Sequence, residues 1–90
     1  MGGDTLGKKD KLIERLLSRP KDFTFDELVT LMGHFNFHIQ SSGKTGGSRV
    51  TFINDDDDDS IRFHRPHPRK ELHPYQVEDA IVALSERDLI

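Results

Sequence analysis

The hydrophobic residues recur with a helical period at both ends of the chain and with a strand period in its middle. Near the N-terminus they predict a helix over residues 8–19, whose apolar face consists of Leu12, Ile13, Leu16 and Leu17. Near the C-terminus a spacing of i, i+3, i+4 and i+7 predicts an amphipathic helix around Val77, Ala80, Ile81 and Leu84. This helix is expected to begin at Pro74, because proline is favoured in the first turn. Both apolar faces need a partner layer to cover them.

A further helix between them has its own start signal. Thr24 and Glu27 have the spacing of a capping box. In this motif the threonine hydroxyl accepts from the glutamate N–H, and the glutamate carboxylate accepts from the threonine N–H. Phe23 and Leu28 flank the box as a hydrophobic staple. Gly33 is a candidate C-terminal cap, so the helix is expected to end there.

The middle of the chain alternates apolar and polar residues, which is typical of strands with one buried face. Three strands are predicted, at residues 36–40, 49–53 and 61–64. The Gly- and Ser-rich residues 41–48 form a loop between the first two, and the aspartates 55–59 form the turn between the last two. The predicted fold is α+β: an extra N-terminal helix followed by α-β-β-β-α, with a three-stranded antiparallel sheet packed on the helices.

The length and charge of the chain narrow the classes of function. Ninety residues suit a single domain, 1–90, and the absence of cysteine excludes disulfides and thiolate metal sites, as is usual in a reducing cytoplasm. No apolar run approaches the ~20 residues of a membrane helix, which favours a cytoplasmic protein without a membrane partner. The formal net charge is −3, yet five of the sixteen acidic residues lie at 55–59. Outside that run, residues 41–73 contain six basic residues and one acidic residue, which favours a polyanionic partner.

Strand alternation also predicts which side chains share the second face of the sheet. Directly opposed residues of an antiparallel pair lie on the same face, so pairing Phe52 with Ile61 brings two apolar side chains together. The same register places Arg49 opposite His64, and a shift of two residues keeps them diagonal neighbours. The second face then consists of Arg49, Thr51, Arg62 and His64. Such a basic face suits a phosphate backbone, although many antiparallel sheets simply expose a polar face to solvent.

Two short motifs stand out after the first predicted strand: Gly43-Lys44-Thr45-Gly46-Gly47-Ser48-Arg49-Val50-Thr51-Phe52 and Arg65-Pro66-His67-Pro68-Arg69-Lys70-Glu71-Leu72. These motifs and the order of the elements around them resemble the HicA toxin family. The resemblance covers roughly residues 23–84, so the helix at 8–19 is additional. It implies a fold like a double-stranded-RNA-binding domain and a messenger-RNA interferase, an endonuclease that needs no metal. It also implies RNA and a HicB-like antitoxin as partners.

The sequence departs from the family at one position. In the family, Gly-Ser is followed by a histidine that acts as general acid or base in RNA cleavage, whereas here Gly47-Ser48 is followed by Arg49. A histidine can take the proton of a ribose 2′-hydroxyl near neutral pH, but an arginine stays protonated and binds phosphate instead. His64 is the best candidate for the base, because alternation places it beside Arg49, and His67 in the following loop is the other candidate. Arg49 and His64 are therefore the candidate catalytic residues.

The predicted RNA-binding residues extend over both motifs: Lys44, Gly47, Ser48, Arg49, Thr51, Arg62, His64, Arg65, His67 and Lys70. The basic members of this set are expected to form one continuous positive surface, remote from the aspartate turn. No metal or cofactor is expected, because neither the histidines nor the aspartates have the spacing of a zinc or calcium site. Two alternatives stay open, a non-catalytic RNA- or protein-binding module of the same fold and a purely structural interaction domain. The latter should show no salt-sensitive RNA binding.

Overall fold

The computed structural model describes residues 7–40 and 49–90 of the chain. Within them, helices and strands follow in the order α-α-β-β-β-α. The helices are α1 (Lys8–Leu17), α2 (Phe25–His34) and α3 (Pro74–Glu86), and the strands are β1 (Phe37–Gln40), β2 (Arg49–Asn54) and β3 (Asp59–His64). This is the predicted α+β fold, with the additional helix at the N-terminal side. None of these described helices is long and apolar enough to span a lipid bilayer.

The capping box at the start of α2 is confirmed. The Thr24 hydroxyl accepts a hydrogen bond from the Glu27 N–H at 3.1 Å, and the Glu27 carboxylate accepts one from the Thr24 N–H at 2.9 Å. Phe23 and Leu28, on either side of the box, are fully buried. The start of α2 is therefore set both by satisfied backbone groups and by the apolar residues that flank them.

The first two helices are each followed by a residue in the left-handed region. α1 ends at Leu17, two residues before the predicted end, and Arg19 has a φ of 53°. The predicted cap at Gly33 is wrong, because α2 continues to His34 and the chain reverses at Asn36, whose φ is 70°. Asparagine adopts this conformation more readily than most residues, so a glycine is not required at the turn.

The three strands form one antiparallel sheet in the order β1-β2-β3. In the hairpin of β2 and β3, Phe52 pairs with Ile61 and Arg49 pairs with His64, which confirms the register predicted from alternation. β1 joins the other edge of β2 with Ile39 opposite Phe52. The six apolar residues Phe37, Ile39, Val50, Phe52, Ile61 and Phe63 therefore face one side, together with Asn54. The other polar residues in the middle of the strands face the opposite side, together with Ile53.

The apolar side of the sheet packs against the helices. The rings of Phe25, Phe52 and Phe63 form a triangle with centroid distances of 6.2, 6.4 and 6.3 Å. The other buried hydrophobic residues are Leu16, Phe23, Leu28, Leu31, Met32, Phe37, Ile61, Leu72, Val77, Ala80, Ile81 and Leu84. The predicted inner face of α3 is confirmed, since all four of its apolar residues belong to this core. Because the helices lie on one side, none of the described elements covers the polar side.

Gln76 of α3 and Arg87, the residue that follows this helix, tie α3 to the outer edge of β3. The Gln76 amide donates a hydrogen bond to the His64 carbonyl at 2.8 Å. The Arg87 guanidinium donates to the Asp59 carboxylate at 2.6 and 3.2 Å and to the Ser60 carbonyl at 3.3 Å. Two carbonyls of this edge strand, those of Ser60 and His64, thereby accept hydrogen bonds from side chains, and these bonds hold β3 against the helix.

Candidate functional site

The polar side of the sheet carries the side chains that alternation predicts. Arg49 lies opposite His64, and Thr51 lies opposite Arg62. The two arginines and the histidine are exposed, and Thr51 is half-buried among them. These four residues, here named the open face, line a cleft of ≈ 510 Å³. Two of the side chains that border the cleft, Arg49 and Arg62, carry a positive charge.

The seven arginines of the chain divide into two groups by their contacts. Three of them form ion pairs that join elements of the fold: Arg15 with Glu27 and Asp22, Arg19 with Glu78, and Arg87 with Asp59. Hydrogen bonds to these carboxylates raise the pKa of each of the three guanidinium groups. Within residues 7–40 and 49–90, the other four (Arg49, Arg62, Arg65 and Arg69) make no ion pair.

A second basic group lies on the helix side of the sheet. Arg65 directly follows His64 in the chain, and its guanidinium lies 5.1 Å from the ring centroid of Phe25 in the core. Arg65, Arg69 and Lys70, here named the loop cluster, are exposed and line a cavity of ≈ 290 Å³ at the start of α2. The described basic residues of the predicted positive surface are therefore divided between the open face and the loop cluster, because consecutive residues at a strand end point to opposite sides, while Lys44 lies outside the described residues.

Backbone hydrogen bonds hold the loop cluster against α2. The Phe25 N–H donates to the Lys70 carbonyl at 3.0 Å, and the Leu72 N–H donates to the Phe23 carbonyl at 2.8 Å. These bonds make a short antiparallel bridge between the loop and the residues that precede the helix. The loop between β3 and α3 is thus fixed at this point, although two prolines keep it out of the sheet.

A family model matches residues 25–83, and the family is described as "HicA toxin of bacterial toxin-antitoxin". The match includes α2, all three described strands and most of α3, which is well over half of the chain. The chain belongs to the HicA toxin family. Neither the curated proteins nor the solved structures compared with the chain gave a match.

The additional helix of this HicA protein, α1, lies outside the matched residues. Leu16 of α1 is fully buried in the common core. Arg15 donates two hydrogen bonds of 2.9 Å to the Glu27 carboxylate, which also caps α2. The Arg15 guanidinium and, after it, the Thr24 N–H hold the pKa of Glu27 below its usual range. The helix is therefore an integral part of this fold.

The end of the hairpin away from Arg49 and His64 is acidic in this HicA protein. Residues 55–58 form the turn. Asp59 begins β3 and forms an ion pair with Arg87, the residue after α3. The buried Asn54 side chain accepts from two backbone N–H groups of the turn, at 2.9 and 3.3 Å, and donates to a carbonyl after α2 at 3.2 Å. Among the described residues, no group of three histidines or carboxylates could hold a metal ion. The turn is thus a hydrogen-bonded, charged hairpin tip.

The remaining predicted site residues divide by whether the structure describes them. Three lie outside the described residues: Lys44, Gly47 and Ser48. His67 is exposed in the loop between β3 and α3. Arg69 is not among the RNA-binding residues predicted from the sequence, although it lines the same cavity as Arg65 and Lys70.

Two glutamines near the open face were missed from the sequence. Gln40 is exposed and lies opposite Thr51, which extends the open face onto β1. Alternation within the first strand was the signal for it. Gln76 is buried, accepts from the His73 N–H at 2.9 Å and donates to the His64 carbonyl, so it positions the end of β3. Its place three residues after the N-cap of α3 was the available signal.

Proposed function

We propose that this protein is the RNA-binding toxin of a HicA/HicB-type toxin–antitoxin pair, and that the open face holds the backbone of messenger RNA. The observation that carries the proposal is the register of the hairpin, which gathers Arg49, Arg62 and His64 on one exposed surface. A guanidinium can bind a phosphate through two parallel N–H···O bonds. Among the described residues, no carboxylate lines the cleft between them, so nothing there competes with a phosphate.

The roles of the individual side chains follow from their chemistry. Arg49 and Arg62 are diagonal neighbours on adjacent strands, about 7–8 Å apart at the backbone, so they can hold neighbouring phosphates. The Thr51 hydroxyl between them can donate to a phosphate or exchange hydrogen bonds with a 2′-hydroxyl. Gln40 adds an amide that can contact a sugar or a base edge. This arrangement recognises the backbone of RNA more than its sequence.

Cleavage depends on whether another group replaces the family histidine. Arg49 occupies the position that the family pattern gives to that histidine, and its guanidinium cannot act as a base. His64, directly opposite, can accept the 2′-hydroxyl proton while Arg49 holds the scissile phosphate. Because Arg49 stays protonated, the site lacks the general acid or base that the family pattern places at this position. We therefore propose RNA binding as the main activity and expect the purified protein to cleave RNA slowly or not at all.

The partner that the family implies is an antitoxin. We propose a HicB-like protein that covers the open face in the cytoplasm and so keeps it from messenger RNA. Since antitoxin and RNA would use the same arginines, each should displace the other. A variant that loses RNA binding through Arg49 and Arg62 should also bind the antitoxin more weakly.

The test is the salt dependence of RNA affinity. The affinity of a fluorescent single-stranded RNA would be measured by anisotropy for wild type and for Arg49→Gln with Arg62→Gln. Each lost phosphate contact should lower the slope of log affinity against log salt by about 0.7. The matched control is Lys8→Gln with Lys9→Gln, which removes two exposed charges from α1.

We expect the open-face variant to bind weakly, with a slope lower by about 1.4 for two contacts, and the control to bind like wild type. Equal affinities of all three proteins at low salt would exclude the open face as the RNA site. If the open-face variant and the control lose the same RNA affinity, the loss comes from the lower net charge of the protein and not from the open face.

A further inference from the structure

We propose that the loop cluster is a second phosphate-binding site for the same RNA. A single strand would reach it by turning around the C-terminal end of β3. The inference rests on the proposed RNA binding at the open face and adds a site on the other side of the sheet. It also defines the conformation of the substrate, because only a flexible strand can contact both sites.

The two sites are close along the chain but lie on opposite sides of the sheet. His64, the last residue of β3, belongs to the open face, and the next residue, Arg65, lies over the Phe25 ring. That ring packs against Phe52 and Phe63 on the buried side of the sheet. The end of β3 is therefore the shortest route from one site to the other.

The chemistry of the cavity is that of an anion site formed by side chains. The Phe25 N–H, the first of α2, donates to the Lys70 carbonyl, and the Glu27 N–H donates to Thr24 in the capping box. These two backbone groups are therefore not available to an anion in the cavity. Three exposed cations line the cavity together with one carboxylate, Asp26. The cations outnumber this carboxylate, so a phosphate is attracted to the cavity.

The occupant is a phosphate rather than a base. Phe25 is only 6% exposed, so its ring offers no open aromatic surface on which a base could stack. The Arg65 guanidinium lies 5.1 Å from the centroid of this ring and makes no ion pair with a carboxylate among the described residues. A planar fork of this kind matches two oxygens of a phosphate.

The reversal between the two sites excludes a double helix as the ligand of both. A nucleic-acid duplex resists bending over lengths of roughly 150 base pairs, so it cannot turn around the end of one strand. A single strand rotates freely about its backbone bonds and can follow the surface. The loop cluster should therefore matter for single-stranded RNA that is long enough to pass the end of β3, and not for a duplex or a very short strand.

The experiment compares three RNA probes on one pair of variants. The probes are a trinucleotide, a single strand of about ten nucleotides and a duplex of the same length. The variants are Arg69→Gln with Lys70→Gln and the control Lys8→Gln with Lys9→Gln, all at exposed positions. Lys70→Gln alone is included, because it keeps the 2.9 Å hydrogen bond from Arg69 to the Glu71 carbonyl and so leaves the loop geometry intact.

We expect the double variant to bind the long single strand about tenfold more weakly than wild type. Its slope of log affinity against log salt should be lower by about 1.4, and Lys70→Gln alone should lower the slope by about half as much. The trinucleotide and the duplex should bind the variants and wild type alike. Unchanged affinity for the long strand, or an equal loss for the duplex, would overturn the second site. If Arg49→Gln with Arg62→Gln binds every probe as wild type does, the proposed function itself fails, which is a separate result.

Discussion

Loss of the Glu27 side chain should weaken the polar contacts between α1 and the family core. Its carboxylate accepts two hydrogen bonds of 2.9 Å from Arg15 in α1 and one of 2.9 Å from the Thr24 N–H at the start of α2. One carboxylate therefore joins two helices and caps one of them. Glu27→Ala removes all of these bonds and adds nothing in their place.

The cost can be worked out from these contacts. The Arg15 and Glu27 side chains are 35% and 32% exposed, so solvent screening limits their ion pair to about 1 kcal/mol. Loss of the reciprocal cap adds about 1 kcal/mol. The free energy of unfolding should then fall by about 2 kcal/mol, which lowers Tm by about 10 °C in a domain of this size.

The same carboxylate predicts how stability depends on pH. Arg15 holds the pKa of Glu27 below its usual range, so the folded state is stabilised when the carboxylate is ionised. This contribution is complete above the unfolded pKa and is lost as the pH falls through the lowered folded pKa. Glu27→Gln keeps an acceptor for Thr24 but loses the charge. The difference between wild type and Glu27→Gln should therefore be about 1 kcal/mol at neutral pH and shrink in acid.

Urea unfolding followed by circular dichroism would measure both effects. The matched control is Glu14→Ala, an exposed glutamate of α1, which should change stability by less than about 0.5 kcal/mol. The reasoning is refuted if Glu27→Ala costs no more than Glu14→Ala. It is also refuted if the difference between wild type and Glu27→Gln is the same in acid as at neutral pH.

Three further predictions concern the core, the hairpin and the chemistry. Ile81→Ala should cost roughly 2–5 kcal/mol in urea unfolding, whereas Val82→Ala on the exposed side of α3 should cost less than about 0.5 kcal/mol; equal costs would contradict the assigned inner face. Asn54→Ala should cost about 1–3 kcal/mol by the same method, because its buried amide organises the aspartate turn, and a neutral result would show that the turn holds without it. In a gel assay of RNA cleavage without metal, His64→Ala should abolish any residual activity and keep most of the binding, while Arg49→Lys should weaken binding through loss of the planar fork; cleavage that persists in His64→Ala would exclude that base.

The sequence alone determined the features that depend on neighbouring residues. The capping box at Thr24 needs only a glutamate three positions on, and the inner face of α3 needs only the helical period. Even the pairing of Arg49 with His64 follows from local information, because alternation leaves few registers that keep Phe52 and Ile61 on the same face. For these features the deciding interactions lie within a few residues or within one hairpin.

The tertiary structure decided what depends on segments that are distant in the chain. Nothing near Arg65 in sequence shows that its guanidinium rests on Phe25, which moves it away from the open face and into a separate cavity. The alternation pattern also does not distinguish Arg87, which is bound to Asp59, from the arginines that make no ion pair among the described residues. Such contacts are set by how helices pack on the sheet, and packing is a property of the whole core rather than of any one segment. The number of basic residues between the first strand and α3 was therefore evident from the sequence, but the division of the described ones between two sides of the sheet was not.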